Sequence, residues 1–341
     1  RINITMANFQ INTITGKDSK SGTSFVGVTT VSSTGSMRIP SGPTENRGGR
    51  GRGIIGPGTM APANVNTLNY ITIATTGNAA DFGDLSYGSA YRGGFASSTR
   101  GVFVNGQNNQ TTDYVTISSK GGGSDFGEIT SENMGGATFS NEITGFRAGG
   151  ADGGVFSSEI IGVMIAHTGS FYDFGDLINA VTYQNGASSP TRGLSFGGAT
   201  PATPTAINVI EYITIATRGN AQDFGNLSEA RKYVDTACNS TRALAAGGNK
   251  APGSSNVIDY VTIATEGNAT DFGDLIAVTE TSKSGVVSSA TRGVFGTSNP
   301  ARNDDIEYVT IMSTGNAIDF GDLTENIMYP GGCSDSHGGL G

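Results

Sequence analysis

The sequence has no tryptophan, two cysteines and two histidines in 341 residues, and only 14% of it is charged. Each shortage removes a class of protein. Two cysteines, Cys238 and Cys333, cannot build a disulfide framework. Both occupy a position where other stretches have Ala96 or Ser188, as small apolar fillers would. His167 and His337 stand far apart in unlike contexts. They are too few for an imidazole-based metal site or for a Ser-His-Asp or Cys-His nucleophile. No apolar run reaches the roughly 18 residues of a membrane-spanning helix, and no signal peptide is recognisable. Neither a metal nor a cofactor is expected, and no membrane span.

What is abundant is glycine, 53 residues of it. With Ser, Thr and Asn around it, this composition suits many short strands joined by tight turns and is poor for helix. The formal charge of −9 is uneven: residues 1–52 carry seven Lys/Arg against two acids, and the remainder nets −14. An acidic body is repelled by nucleic acid. The basic stretch reads either as a solvated linker or as an arm that docks on an acidic partner.

One stretch recurs six times. Its Asp-Phe-Gly core falls at Asp81, Asp125, Asp173, Asp223, Asp271 and Asp319, at spacings of 44, 48, 50, 48 and 48. A tyrosine stands eleven residues earlier in five copies (Tyr70, Tyr114, Tyr212, Tyr260, Tyr308), and Gly162 holds that place in the third. Each copy offers four strand candidates: a basic-Gly strand such as that opening at Arg192, the Tyr strand, the Asp-Phe-Gly strand, and a small polar strand such as that opening at Asp235. Four short antiparallel strands repeated six times at this period predict an all-β, six-bladed β-propeller over residues 49–341. Residues 1–48 lack the repeat. Segments 9–15 and 24–31 alternate like strands, and 36–44 reads as an extended connector. This region is too small and polar for its own core and is expected to be an N-terminal arm pairing with partner chains.

The first repeat begins with the basic-Gly strand near Arg52, and a spare small polar strand follows Tyr329, so pairing these two should close the ring. His337 then falls at the repeat position held by Arg100, Arg192, Arg242 and Arg292. The repeated aspartates are expected to cap turns or to pair with these arginines, registering the blades rather than doing chemistry.

A Gly-Gly pair after an apolar strand (Gly197-Gly198, Gly247-Gly248), then a Tyr strand and an aromatic strand, resembles the kelch-type propeller repeat, with Phe in place of its Trp. Strings such as Thr-Arg-Gly-Val-Phe, Tyr-Val-Thr-Ile-Ala-Thr and Asp-Phe-Gly-Asp-Leu resemble those of tail-fibre-like virion proteins of marine and cyanobacterial phages, and residues 35–47 resemble phage-tail linkers. The resemblance implies a structural protein of the virion, in a tail fibre or tail appendage. Its arm would contact other virion proteins and its propeller a host-surface glycan or protein, as a homo-oligomer.

The Tyr-to-Asp interval is constant, whereas the interval from the arginine position to the Tyr position runs from 14 to 20. The variation lies in the loop between the second and third strands of a blade, on the face that also carries the blade-to-blade connections, where binding is usually placed. On that face Tyr91, Tyr183, Tyr233 and Tyr329 each stand ten residues after an Asp-Phe-Gly aspartate. Either they ring the central mouth, where aromatic faces stack on sugars, or they wedge between blades as core. No catalytic residue is assigned: an Asp-Phe-Gly repeated at blade spacing without a Gly-rich ATP loop is not the kinase triplet. A non-enzymatic role is expected, with a particle scaffold lacking a receptor role, or a glycan-degrading propeller, as alternatives.

Overall fold

The computed structural model describes residues 51–341 apart from 61, 105, 108–109, 130–133, 203–205, 280–284 and 297–303. The arm and its two expected strands lie outside the described residues.

Six four-stranded antiparallel sheets form the blades of a propeller. From the axis outward, blade 1 is Gly332–Ser334, Arg52–Ile55, Thr67–Thr72 and Ala80–Asp84; blade 2 is Gly93–Ala96, Arg100–Val104, Thr111–Thr116 and Ser124–Glu128; blade 3 is Ala137–Ser140, Thr144–Asp152, Val155–Met164 and Tyr172–Asp176. Blade 4 is Asn185–Ser188, Arg192–Phe196, Val209–Thr214 and Gln222–Asn226; blade 5 is Asp235–Cys238, Arg242–Ala246, Ser255–Thr262 and Thr270–Thr279; blade 6 is Val287–Ser288, Arg292–Phe295, Asp305–Thr310 and Ile318–Asp322. The ring closes as expected. Gly53, Ile54 and Ile55 face Ser334, Cys333 and Gly332, so the two ends of the ring sequence share one sheet and leave no open edge at the seam.

The repeat builds its core through a bulge. Leu68 faces Gly83 but Asn69 faces Asp81, which leaves Phe82 as the extra residue. The same shift occurs in all six blades. Gly83 has φ 139°, where a side chain is disfavoured, and an added Cβ would stand 2.6 Å from the Gly121 carbonyl oxygen of the next blade. The bulge turns each Phe inward, and the glycine lets the neighbouring turn close over it. Six apolar clusters result, one in each gap between blades. Ile54, Leu68 and Phe82 of blade 1 meet Phe103, Val115 and Ile117 of blade 2, for example, and Ile55 and Ile71 of blade 1 meet Val294 and Phe320 of blade 6. Burying each such ring stabilises by roughly 1.5–3 kcal/mol, and each contribution depends on the adjacent blade.

The uniform lower face is held by repeated turn chemistry. Ser97 Oγ accepts from the backbone N–H of Thr99 and Arg100, Ser189 from Thr191 and Arg192, and Ser289 from Thr291 and Arg292. Asn141 and Asn239 do the same with a side-chain amide oxygen. These side chains satisfy donors that a tight hairpin leaves free, which is why Ser or Asn recurs there.

Candidate binding face at the axial mouth

The upper face carries the long loops. Thr182, just before the inner strand of blade 4, bridges Ala199, just after its second strand, and Lys232 bridges Asn249 in blade 5. The connections between blades and the loops from second to third strand therefore share one face. Six of the ten large apolar side chains exposed among the described residues lie there: Met60, Tyr87, Val155, Ile178, Ile276 and Val278.

Tyr91, Tyr183, Tyr233 and Tyr329 gather at the centre of this face. All four have left-handed backbone, with φ between 56° and 61°, a conformation costing a non-glycine residue on the order of 1 kcal/mol. Gly135, at the same position in blade 3, has φ 74°, so the repeat imposes the conformation and glycine would satisfy it more cheaply. Tyr91 N–H donates to the Tyr329 carbonyl at 3.1 Å, and Tyr233 N–H to that of Tyr183 at 2.7 Å. The rings pack in two pairs, Tyr91 stacked on Tyr329 at 4.2 Å between centroids and Tyr183 tilted against Tyr233 at 4.5 Å, and Tyr91 meets Tyr183 at 6.3 Å. None of the four belongs to a cluster between blades. They stack on one another, each half-buried, rather than wedging between blades. Burial, reinforced by the neighbouring hydroxyls, pushes the Tyr91 and Tyr233 phenols well above the usual tyrosine range. The Tyr91 and Tyr233 phenols thus stay uncharged, and one cation, Lys232 Nζ, lies 5.7 Å over the Tyr233 ring.

The repeated arginines form a different contact from the one expected. Arg100, Arg192, Arg242 and Arg292, and with them Arg52, lie 4.1–4.9 Å over the tyrosine of their own blade. Each donates to a carbonyl of the following blade: Ile117, Ile165, Ile263, Ile311 or Ile73. Among the described residues no salt bridge joins them to Asp81, Asp125, Asp173, Asp223, Asp271 or Asp319. These aspartates are exposed on the outermost strand, while each guanidinium is held between ring and carbonyl. Turn capping is seen at Asp125, whose Oδ1 accepts from Gly127 N–H at 3.0 Å. His337 stands at the arginine position in sequence but caps the turn Gly338–Leu340 below the axis.

Sequence reasoning missed the residue just before each tyrosine: Asn69, Asp113, Glu211, Asp259 and Glu307, with Ile161 in blade 3. Each of the five polar residues accepts from the connection leaving the previous blade. The donors are Thr324 N–H to Asn69, Ser86 Oγ to Asp113, Ile178 N–H to Glu211, Ser228 N–H and Oγ to Asp259, and Ile276 N–H to Glu307. The signal was an acid or amide at one fixed offset in five copies. Asp113 pairs with Arg92 at 3.3 Å and Asp259 with Arg231 at 2.5 Å, all four side chains fully buried. Without an arginine, burial pushes Glu211 and Glu307 up to about 7. Apart from these, carboxylate oxygens of Asp304, Asp305 and Asp322 lie within 4.8 Å of one another. Oxygen-only donors of that kind suit a hard cation, though solvent-facing acids cluster readily without one.

No known protein family matches the chain, and no curated protein does at a significant level.

Proposed function

We propose that the protein is a non-enzymatic structural component of a phage virion, in a tail fibre or tail appendage, whose upper propeller face binds the host surface. The kelch-like pattern and the phage-like strings support the setting. The basic arm of residues 1–48 anchors the ring to other virion proteins as part of a homo-oligomer. The observation that carries the binding role is the tyrosine cluster: four aromatic rings kept in a backbone conformation that glycine would adopt at lower cost, on the face with the variable loops. Tyrosine rings offer apolar faces for sugars, with hydroxyls for hydrogen bonding. The buried carboxylates are engaged between blades, which supports a role without chemistry.

Replacing Tyr183 and Tyr233 together by glycine tests this. The variant keeps the left-handed backbone and loses both rings. Loss of binding to host cells or their polysaccharide, with melting within a few degrees of wild type, is the expected result. Intact binding with a large fall in melting temperature would make the tyrosines a structural hub and favour the scaffold reading. Shortened polysaccharide after incubation would favour a hydrolase.

A further inference from the structure

The opposite mouth of the axial channel is closed by different means. Residues 335–341 run beneath the inner strands. Gly338 and Gly339 press on the carbonyls of Asn239, Ser188 and Ser140 so closely that neither position has room for a Cβ. Above them lies a cavity of about 70 Å³ lined by Ser140, Ser188, Thr236, Cys238, Ser334 and His337. His337 holds this turn through both ring nitrogens. Nδ1 accepts from Gly339 N–H at 3.1 Å, so the proton sits on Nε2, which donates to the Ala96 carbonyl at 2.8 Å. Ser140 Oγ lies 3.3 Å from the same Nε2.

We propose that residues 335–341 are an acid-released latch over the lower mouth of the channel, with the neutral His337 imidazole as its pin. A second proton on the ring must go to Nδ1. That sets two donors against each other at Gly339, removes the cap of the turn, and places a cation under the inner strands. The charged groups nearby do not offset this. The Glu142 carboxylate of blade 3 attracts the ring but is engaged by Ser98. Asp335, on the latch itself, accepts from Gly51 and Arg52 N–H. The guanidiniums of Arg100 and Arg192 point away, to Ile165 and Ile263. Cys238 and Cys333 are buried thiols. Burial holds the imidazole below its ordinary value, so the closed state is favoured above the usual histidine range and weakens as pH falls below it.

Cys238 reports the opening, because its buried thiol lines the same cavity as His337. In a Cys333→Ala background, labelling by a dipyridyl disulfide reagent is compared at about pH 8 and about pH 5, with far-UV circular dichroism confirming that the ring stays folded. Release linked to one proton raises the labelling rate by up to roughly tenfold per pH unit. His337→Gln, which keeps one acceptor and one donor without titrating, should label slowly at both pH values; His337→Ala should label rapidly at both. Equal wild-type rates at the two pH values would overturn the latch. So would a His337→Gln variant that keeps the acid response, since another group would then be the trigger.

Discussion

The gaps between blades 1 and 2 and between blades 4 and 5 differ from the gaps leading into blades 4 and 6 at one atom position. In each, an acid on the third strand accepts from the preceding connection. In the first two a buried arginine stands beside it. In the others the carboxyl is buried without one, and its proton affinity rises instead. The same backbone position thus tolerates two answers to one electrostatic problem: bring a countercharge, or hold a proton. The first makes the gap dependent on one side chain, the second makes it dependent on pH.

Removing the countercharge should have the larger effect. Arg231 donates to the Gly247 and Val257 carbonyls as well as to Asp259. Arg231→Met therefore leaves a buried carboxylate with only Ser228 for support. A loss of about 3–5 kcal/mol is expected in denaturant unfolding. Arg92→Met should cost less, because among the described residues Arg92 makes one hydrogen bond, a longer one at 3.3 Å to Asp113, where Arg231 makes three. Adding Asp259→Leu to Arg231→Met should recover much of the loss; if the double variant is no better than the single, the carboxylate is not what the arginine compensates.

The gaps without arginine respond to pH with the opposite character. Glu211 and Glu307 hold their protons up to about 7, against an ordinary 4.5. The folded state therefore binds more protons than the unfolded chain between those values. Their stabilisation is complete below the ordinary carboxyl range and is lost as pH rises through about 7, on the order of 1–3 kcal/mol for each. Thermal melting should fall between about pH 5 and about pH 8, and Glu211→Gln with Glu307→Gln should flatten that slope. Below the histidine range the His337 latch works in the reverse sense, so the double variant is also the cleaner background in which to see it.

These gaps also mark where the sequence stops being readable. The period, the constant eleven-residue interval and the ring closure follow from local rules, since a bulged hairpin fixes a spacing and a missing strand must be supplied. The spacing leaves open whether Tyr91, Tyr183, Tyr233 and Tyr329 ring the mouth or wedge between blades, although their place at the entry to the inner strands follows in the same way. Their mutual stacking does not, because it depends on distances across the axis between residues dozens of positions apart. The arginines illustrate the limit from the other side. A repeated Arg and a repeated Asp suggest a pair, but spacing along the chain does not say that the guanidinium has a tyrosine beneath it and a carbonyl ahead of it. Arg92 and Arg231 are not repeated at all, and a residue outside the pattern gives periodic reasoning nothing to hold.

Blade 3 sharpens the comparison at the smallest scale. It has Thr144 and Gly162 where other blades have the Arg–Tyr pair. Tyr172 from its outer strand fills the vacated place, its ring so near that a Cβ on Gly162 would stand 2.8 Å from it. The cation comes from Arg218 of blade 4, 4.5 Å over the Tyr172 ring. The stacking contact survives with both partners replaced, whereas among the described residues Arg218 makes no hydrogen bond like that of Arg242 to the Ile311 carbonyl at 3.0 Å. Arg218→Met should therefore remove the cation–π contact alone, about 0.5–1 kcal/mol at a solvent-facing site. Arg242→Met should lose that and a charge-assisted hydrogen bond, roughly 1.5–3 kcal/mol more. Equal losses in the two variants, measured by denaturant unfolding, would mean that stacking on tyrosine, and not the link to the next blade, is what the repeated arginine contributes.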